Sequence, residues 1–267
     1  PPPPAPRVDL KVINLEIHNG FVKKIEYEIK EDVTLLKLKC NGRDNGFDKT
    51  QKGIRFFVSA PYKFEVDKFN CQLSSDKFGW TPIVNFTIKA YPYRQEFLKV
   101  PKKHVDLAQK DIDRWLKEKE KLKEVYEAAI LDRALFTEEF KRPLNSKVTS
   151  DYGKSRVFND KKDSWHSGID FRARKPTPIP NSNRGKVAFT GDLFFNGLTV
   201  IIDHGLGIFS MYCHLSKINV QEGEIIPQGE IVGLSGNTGR SSAPHLHWGV
   251  KVSGNWINGF SLLDQGI

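Results

Sequence analysis

The chain has 267 residues and a net charge of +9, and 39% of its residues are hydrophobic. This length suits about two domains of roughly 100–150 residues each, and the 18 phenylalanines exclude wholesale disorder. No stretch approaches the ~20 consecutive apolar residues that a membrane span needs. We therefore expect a folded protein without a transmembrane segment.

The first part of the chain predicts a spacer followed by a β module. Residues 1–6 read PPPPAP, which is typical of an extended proline-rich spacer, and no basic start with an apolar run indicates a signal peptide. Residues 7–100 alternate apolar with polar side chains between turn signals such as Asn41-Gly42. This pattern predicts an antiparallel β-sandwich-like accessory domain with a binding, spacing or regulatory role.

Positive charge is concentrated in this part of the chain. Residues 1–103 hold 19 Lys and Arg against 12 Asp and Glu. The lysines alternate with apolar residues, as on the solvated face of a strand, although attraction to an anionic polymer stays open. No nucleic-acid-binding motif is present, so we expect no nucleic acid partner.

Three cysteines give an ambiguous redox signal. Cys40 and Cys71 could form a disulfide if their Cα atoms approach within about 7 Å, which would leave Cys213 unpaired. Three reduced thiols are an equally good interpretation. No CxxC pair occurs, so zinc bound by cysteines is not expected.

Residues 101–142 predict a helical linker. The stretch 104–136 lacks Gly and Pro and is rich in Lys, Glu, Leu and Ala, which favour helices. Five residues fall near one face at helical spacing, namely Trp115, Leu122, Tyr126, Ala129 and Ile130. We expect this face to pack against a neighbouring domain. A coiled-coil partner is the alternative.

Residues 143–267 predict a second β-rich domain, since short apolar runs alternate with frequent glycines. Five of the seven histidines of the chain lie here. Three stretches hold the residues of chemical interest, which are WHSGIDF at 165–171, MYCHLS at 211–216 and APHLHWGV at 243–250.

Two of these stretches have the spacing of metal ligands. His245 and His247 are two apart, so on a strand both imidazoles project from one face and the leucine between them faces the other way. His166 and Asp170 also share a face of an extended chain, and Gly168 leaves open space between them. Pairs of surface histidines with this spacing are common, and a helix would also bring His166 and Asp170 together.

Two histidines and one aspartate form a donor set that suits Zn²⁺, and three protein ligands leave a fourth position for water. Bound zinc lowers the pKa of its water and polarises a carbonyl group, as amide hydrolysis requires. No HExxH motif supplies a glutamate base. The histidine of the HLH pair that does not bind zinc, together with His214, is therefore a candidate for proton transfer.

Residues 145–262 resemble the lysostaphin-type (LytM-like) zinc endopeptidases, which cleave peptides of bacterial peptidoglycan. The resemblance implies that His166, Asp170 and His247 are the zinc ligands, with His245 and His214 as catalytic histidines. It also implies a β-rich peptidase fold with the site in a groove between loops. The matching stretches are TSDYGKSR, WHSGIDF, GKVAFTG, GLTVIIDHGLGIFSMYCHLS and VQEGEIIPQGEIVGLSGNTGRSSAPHLHWGV.

The sequence departs from the family pattern in two places. Ala243 precedes Pro244 where the family often has glycine, and residues 177–181 read TPIPN. Both departures bear on substrate preference and leave the metal ligands intact. In a regular strand Cys213, next to His214, would face away from the site.

These observations predict a mainly β protein with an accessory domain, a linker helix and a peptidase domain that binds one zinc ion. The expected substrate is a peptide crosslink of peptidoglycan, which implies an exported protein in the periplasm or cell envelope. The alternative is a non-enzymatic regulator of other cell-wall hydrolases, acting through a protein partner. The bond that is cut, the cell whose wall is attacked, the oligomeric state, and whether residues 1–140 inhibit or target the site stay open.

Overall fold

The computed structural model describes residues 10–30, 33–98, 108–158 and 162–266. The protein is mainly β, with N-terminal sheets, a helix and then a larger β-rich part, as the sequence predicts. The predicted spacer at residues 1–6 lies outside the described residues. Within the described ranges, no helix has the length and apolar character that crossing a membrane requires.

The first module is a pair of packed sheets. The two sheets contain β1 Ile13–His18, β2 Val22–Glu28, β3 Lys37–Cys40, β4 Arg43–Asp44, β5 Phe47–Thr50, β6 Gly53–Ser59, β7 Lys68–Ser74 and β8 Thr81–Lys89, and β9 Gln95–Leu98 follows them in the chain. One sheet has the order β1-β8-β7-β3-β4 and the other β2-β6-β5. Strands of both sheets contribute to one buried cluster that includes Phe56, Leu73 and Phe86. The module is therefore sandwich-like, as predicted.

One strand pair departs from the antiparallel pattern of this module. β1 runs parallel to β8, whereas the other neighbours in the two sheets are antiparallel. A parallel pair needs a long connection, and the intervening strands provide it. Cys40 on β3 lies opposite Cys71 on β7, and the two form a disulfide. The sequence left open either one disulfide or three reduced thiols, and the structure contains the disulfide.

The linker helix α1 spans Gln109–Glu127, which is shorter than the predicted stretch 104–136. Residue 104 lies outside the described residues. At the other end, the amide of Ile130 donates a hydrogen bond to Asp203 Oδ2 at 2.8 Å, and the amide of Ala134 donates to Asp48 Oδ1 at 2.9 Å. Because these two amides donate to carboxylates of distant residues, they do not form the hydrogen bonds of a continuing helix. Tertiary contacts therefore end the helix, although the local helix propensity would continue it.

The apolar face of α1 packs against the C-terminal part of the chain, as expected. Leu122 and Tyr126 of α1, together with Ala129 just after the helix, contact a buried cluster on the large sheet. The ring of Tyr126 meets Phe209 edge-on, with 5.1 Å between the ring centroids. The prediction of a face packed against a neighbouring domain is confirmed for these residues.

The C-terminal part contains most of the strands. They are β10 Val148–Ser150, β11 Ser155–Phe158, β12 Lys162–Trp165, β13 Gly168–Arg172, β14 Pro178–Pro180, β15 Gly185–Leu193, β16 Gly197–Asp203, β17 Ile208–Ile218, β18 Ile225–Ile226, β19 Ile231–Ser235, β20 His245–Val252 and β21 Asn255–Ile257, followed by helix α2 Gly259–Leu263. The large sheet has the order β10-β13-β20-β17-β16-β15-β18, with β14, β19 and β21 attached to it.

The two faces of the large sheet bury different partners. On one face, Tyr212, Leu246 and Trp248 belong to a core that Val22 and Phe57 of the first module also enter. On the other face, Met211 and Phe209 lie beneath α1. The first module and the large sheet therefore share a continuous apolar core.

A small third sheet links the first module to the C-terminal part. β9 pairs in parallel with β11, which pairs antiparallel with β12. The hairpin of β11 and β12 leads directly into His166. The first module is thus joined by a strand to the segment that carries the first predicted metal ligand.

Candidate metal centre

Strand register brings three of the predicted residues together. β13 pairs antiparallel with β20, which sets Asp170 directly opposite His247 and Arg172 opposite His245. Paired residues on neighbouring strands share a face of the sheet. His166 lies two residues before β13, in the connection that follows β12. The sequence predicted that His245 and His247 share a face, and Leu246 indeed lies in the core on the other face.

The donor atoms of these residues converge. His166 Nε2 lies 3.0 Å from Asp170 Oδ1 and 3.0 Å from His247 Nδ1. His247 Nδ1 lies 2.9 Å from Asp170 Oδ1. Each of the three atoms is therefore close to both of the others. Among the described residues, His166, Asp170 and His247 are also the one group of three or more His, Cys, Asp or Glu that could hold a metal ion.

Hydrogen bonds determine which ring nitrogen of His166 faces the centre. His166 Nδ1 lies 2.8 Å from the carbonyl oxygen of Asp151, which can only accept a hydrogen bond. Nδ1 therefore carries the proton, and the neutral ring turns the lone pair of Nε2 toward Asp170 and His247. Such outer contacts orient metal-binding histidines in general. No residue pattern in the sequence indicates this carbonyl group.

Electrostatics favour an ionised Asp170 carboxylate beside the buried imidazole of His247. Burial opposes ionisation of Asp170, but its close contacts with His166 and His247 outweigh this effect and hold the pKa of Asp170 well below its usual range. Burial lowers the pKa of His247, which its contact with Asp170 only partly offsets. The centre thus holds an ionised Asp170 carboxylate beside a neutral His247 imidazole at neutral pH.

A divalent cation fits this donor set. Two imidazole nitrogens and a carboxylate oxygen face one another at about 3 Å. Too few protons lie among these three atoms for each lone pair to accept a hydrogen bond. A cation among them satisfies all three at once. Imidazole and carboxylate are ligands that Zn²⁺ accepts.

Gly168 separates the donors and leaves room for them. A Cβ atom at this position would lie 2.7 Å from His247 Cε1 and 2.6 Å from the carbonyl oxygen of Trp248. Gly168→Ala is expected to displace the ring of His247 and weaken zinc affinity about tenfold to a hundredfold, as measured by competition with a chromophoric chelator. In Gly79→Ala, where a Cβ atom meets nothing within 4 Å, zinc affinity should stay unchanged. Equal affinity in both variants would contradict this steric role.

The other two predicted histidines lie beside the three donors. The ring centroids of His214 and His245 are 4.7 Å apart, and His245 Nε2 is 3.7 Å from Asp170 Oδ1. His245 Nδ1 donates to the carbonyl oxygen of Ala243 at 2.8 Å. His214 Nδ1 donates to the carbonyl oxygen of Thr238 at 2.9 Å. All five predicted residues are therefore neighbours. In both His214 and His245, Nδ1 is bound to a backbone carbonyl group and Nε2 lies on the opposite side of the ring.

An irregularity in β17 places His214 in the site. Its φ is +59°, in the left-handed region that non-glycine residues seldom adopt, and the register with β16 shifts at this point. Such strain recurs at functional sites. Burial lowers the pKa of His214 to about 4, so its ring is neutral at neutral pH.

Because of the same irregularity, the regular-strand geometry expected for Cys213 does not apply. Cys213 lies opposite His247 in the register, on the same face as Asp170. The prediction assumed a regular strand, whereas the bulge lets two consecutive residues share one face. The Cys213 thiol is free and buried, accepts from Asn196 Nδ2 at 3.3 Å, and has its pKa raised to about 12 by burial.

His204 has a structural role. Its side chain is fully buried, with Nδ1 2.9 Å from the carbonyl oxygen of Arg184 and Nε2 2.8 Å from Ser210 Oγ. Burial lowers its pKa from 6.5 to about 4. Its neutral form is thus part of the folded state.

The free energy of unfolding should decrease as the pH is lowered, because His204 is buried in its neutral form. The unfolded chain takes up a proton on this ring below pH 6.5, whereas the folded protein does so only near pH 4. The full stability is present above pH 6.5 and is lost on acidification. From pH 7.5 to 5, metal-free wild type should lose about 2 kcal/mol more than metal-free His204→Gln in chemical denaturation. Identical losses would contradict this.

The site is therefore a candidate metal centre of two histidines and one aspartate in a β-rich domain. The family model of Peptidase family M23 matches residues 164–259. These residues form an M23 peptidase domain.

Curated relatives resemble this part of the chain. The peptidoglycan DD-endopeptidase ShyA of Vibrio cholerae serotype O1 is 38% identical over 119 residues, which cover 43% of this chain and 28% of ShyA. The DD-carboxypeptidase/endopeptidase Mpg of Neisseria meningitidis serogroup B is 38% identical over 97 residues, which cover 36% of this chain and 22% of Mpg. The chain therefore matches less than a third of the length of either relative.

A solved structure extends the resemblance of fold to almost the whole chain. A Pseudomonas aeruginosa crystal structure assigned to peptidase M23 superimposes with a TM-score of 0.72. It covers 92% of this chain and 95% of its own, at 24% identity. At this identity the comparison shows that the fold is shared, including the module that precedes the peptidase domain.

Proposed function

We propose that the protein is a zinc-dependent endopeptidase that hydrolyses peptide crosslinks of bacterial peptidoglycan. The observation that carries this proposal is the convergence of His166 Nε2, Asp170 Oδ1 and His247 Nδ1 to within 3.0 Å of one another. The M23 peptidase domain and the peptidoglycan endopeptidases among its relatives support the substrate.

In this proposal His166, Asp170 and His247 hold one zinc ion. When bound, zinc lowers the pKa of a water molecule and polarises the scissile carbonyl group. Asp151 keeps the ring of His166 in the tautomer that presents Nε2. The carboxylate of Asp170 supplies the negative charge that a dication requires.

His245 and His214 handle protons in this proposal. Both rings donate Nδ1–H to a backbone carbonyl group, so both present Nε2 as an acceptor. His245 Nε2, 3.7 Å from Asp170 Oδ1, is placed to take a proton from the attacking water and pass it to the leaving amine. Once protonated, either ring becomes an N–H donor to developing negative charge on the substrate oxygen.

We also propose an extracytoplasmic location, in the periplasm or the cell envelope, because peptidoglycan lies there. The disulfide of Cys40 and Cys71 supports this, since disulfides persist in oxidising compartments. The division predicted from the sequence remains part of the proposal, with a spacer at 1–6, an accessory domain at 7–100, a helical linker at 101–142 and a peptidase domain at 143–267.

Metal removal and restoration tests this function. The full chain, treated with a chelator and dialysed, is incubated with a purified crosslinked dimer of peptidoglycan stem peptides. We expect no cleavage without metal, and recovery at one equivalent of zinc per chain. Cleavage by the metal-free protein would contradict the proposal. Stoichiometric zinc binding without cleavage would favour the regulator of other wall hydrolases instead.

A further inference from the structure

A small pocket adjoins the metal centre on the side of the first module. Its volume is about 150 Å³, and its lining comprises Ser150, Lys154, Ser164, Trp165, His166 and Asp170. Two of these residues are proposed zinc ligands. A group bound in this pocket would therefore lie next to the bond that is cut.

The lining of the pocket offers donors for an anion. Among the described lining residues, Lys154 is the one Lys or Arg. Its ammonium group lies 2.8 Å from Glu96 Oε1. Because an ammonium group has three N–H donors, Lys154 can keep this contact and still donate to a ligand. The hydroxyl groups of Ser150 and Ser164 add two further donors.

The backbone around Lys154 is tied to both the site and the first module. The amide of His166 donates to the carbonyl oxygen of Lys154 at 2.9 Å, and the amide of Gly153 donates to the carbonyl oxygen of His166 at 2.8 Å. On the other side, Tyr62 Oη donates to the carbonyl oxygen of Gly153 at 2.9 Å. These bonds hold Lys154 at a defined distance from the donors of the metal centre.

Aromatic packing fixes the opposite wall. The ring of Tyr62, from the first module, stacks on Trp165 with centroids 4.2 Å apart and an interplanar angle of 11°. Gly153 has a φ of +79°, and a Cβ atom there would overlap the ring of Tyr93, so this close approach requires glycine. The pocket is thus lined by residues 150–170, and the first module packs against its wall from outside through Tyr62.

We propose that this pocket, the Lys154 pocket, binds a free carboxylate of the substrate peptide, and that Glu96 positions the Lys154 ammonium for this contact. The proposal rests on the proposed peptidase function and specifies its substrate class, which is an acidic peptide with a carboxylate close to the scissile amide. A carboxamide at the same place brings no charge to Lys154 and should bind less well.

Two synthetic crosslinked peptides that differ in one group test this proposal. One carries a free carboxylate beside the scissile amide and the other a carboxamide. We expect the zinc-loaded full chain to have a KM about tenfold to a hundredfold lower for the carboxylate peptide. Lys154→Met should raise that KM by the same factor and change kcat less than about twofold. It should leave the KM of the carboxamide peptide and the zinc content unchanged.

Lys147→Met is the matched control, because Lys147 is an exposed lysine of the same domain outside the pocket lining. It should keep the preference for the carboxylate peptide. Equal KM values for the two peptides in wild type, or an unaltered preference in Lys154→Met, would overturn the Lys154 pocket while the peptidase function stands.

Calorimetry separates the two proposals if neither peptide is cleaved. The probe is then the single-chain product peptide, in its carboxylate and carboxamide forms. Tighter binding of the carboxylate form that is lost in Lys154→Met would support the pocket although the peptidase function fails. Equal binding of both forms would overturn the pocket as well.

Discussion

His247→Ala is expected to abolish both zinc binding and hydrolysis. The Nδ1 atom of His247 lies 2.9 Å from Asp170 Oδ1 and 3.0 Å from His166 Nε2, and the side chain is buried. Its loss leaves two protein ligands where zinc sites use three or four. We expect zinc affinity to fall by more than about a hundredfold, which exceeds the loss typical of removing a residue that only orients a metal ligand. Cleavage should be undetectable. Chelator competition and a crosslinked peptide assay measure the two effects.

His18→Ala serves as the control for this variant. His18 lies at the end of β1 in the first module, and its removal should leave both measurements at the wild-type level. A metal-free His247→Ala protein that still cleaves the crosslinked peptide would refute the assignment of His247.

His245→Ala is expected to separate metal binding from turnover. His245 is held by the carbonyl group of Ala243, and its Nε2 faces the centre without being among the three closest donors. We expect the variant to keep zinc affinity within about tenfold of wild type, because its three donors stay in place. The value of kcat should fall by about a hundredfold to ten-thousandfold, the range of general acid–base catalysis.

Parallel zinc titrations and steady-state kinetics on His245→Ala and His247→Ala test this distinction. If His245→Ala loses zinc as completely as His247→Ala, His245 is a metal ligand and its proposed role is wrong. If its kcat is unaltered, another group moves the proton.

Local spacing was enough to predict which side chains share a face where strands are regular. The two-residue period puts His245 and His247 on one face, and the pairing of β13 with β20 has that geometry. The sequence could not predict that Asp170 lies directly opposite His247, because register depends on backbone pairing between strands that are far apart in the chain. The resemblance to a known family supplied that association.

Two features of the site could not be read from local pattern. The left-handed conformation of His214 and the bulge beside it arise from pairing with neighbouring strands, and they reverse the expected orientation of Cys213. The anchors of the imidazoles are backbone carbonyl groups of Asp151, Ala243 and Thr238. Any residue type carries such a group, so these anchors have no signature in the sequence.

The fold shows the same division between local and long-range information. Alternation predicted the sandwich of the first module, and composition predicted the linker helix. The end of α1 was missed because Asp203 and Asp48 bind amides that a longer helix would use. The shared core, in which Val22 and Phe57 join residues of the large sheet, depends on packing between segments far apart in the chain.

Mass spectrometry of fragments released from purified crosslinked sacculi tests the central claim most directly. The zinc-loaded full chain should convert crosslinked dimers into monomers, with masses that identify one hydrolysed amide bond, and His247→Ala should release none. Sacculi that stay crosslinked in the presence of zinc-loaded protein, or equal release by His247→Ala, would contradict a zinc endopeptidase built on His166, Asp170 and His247.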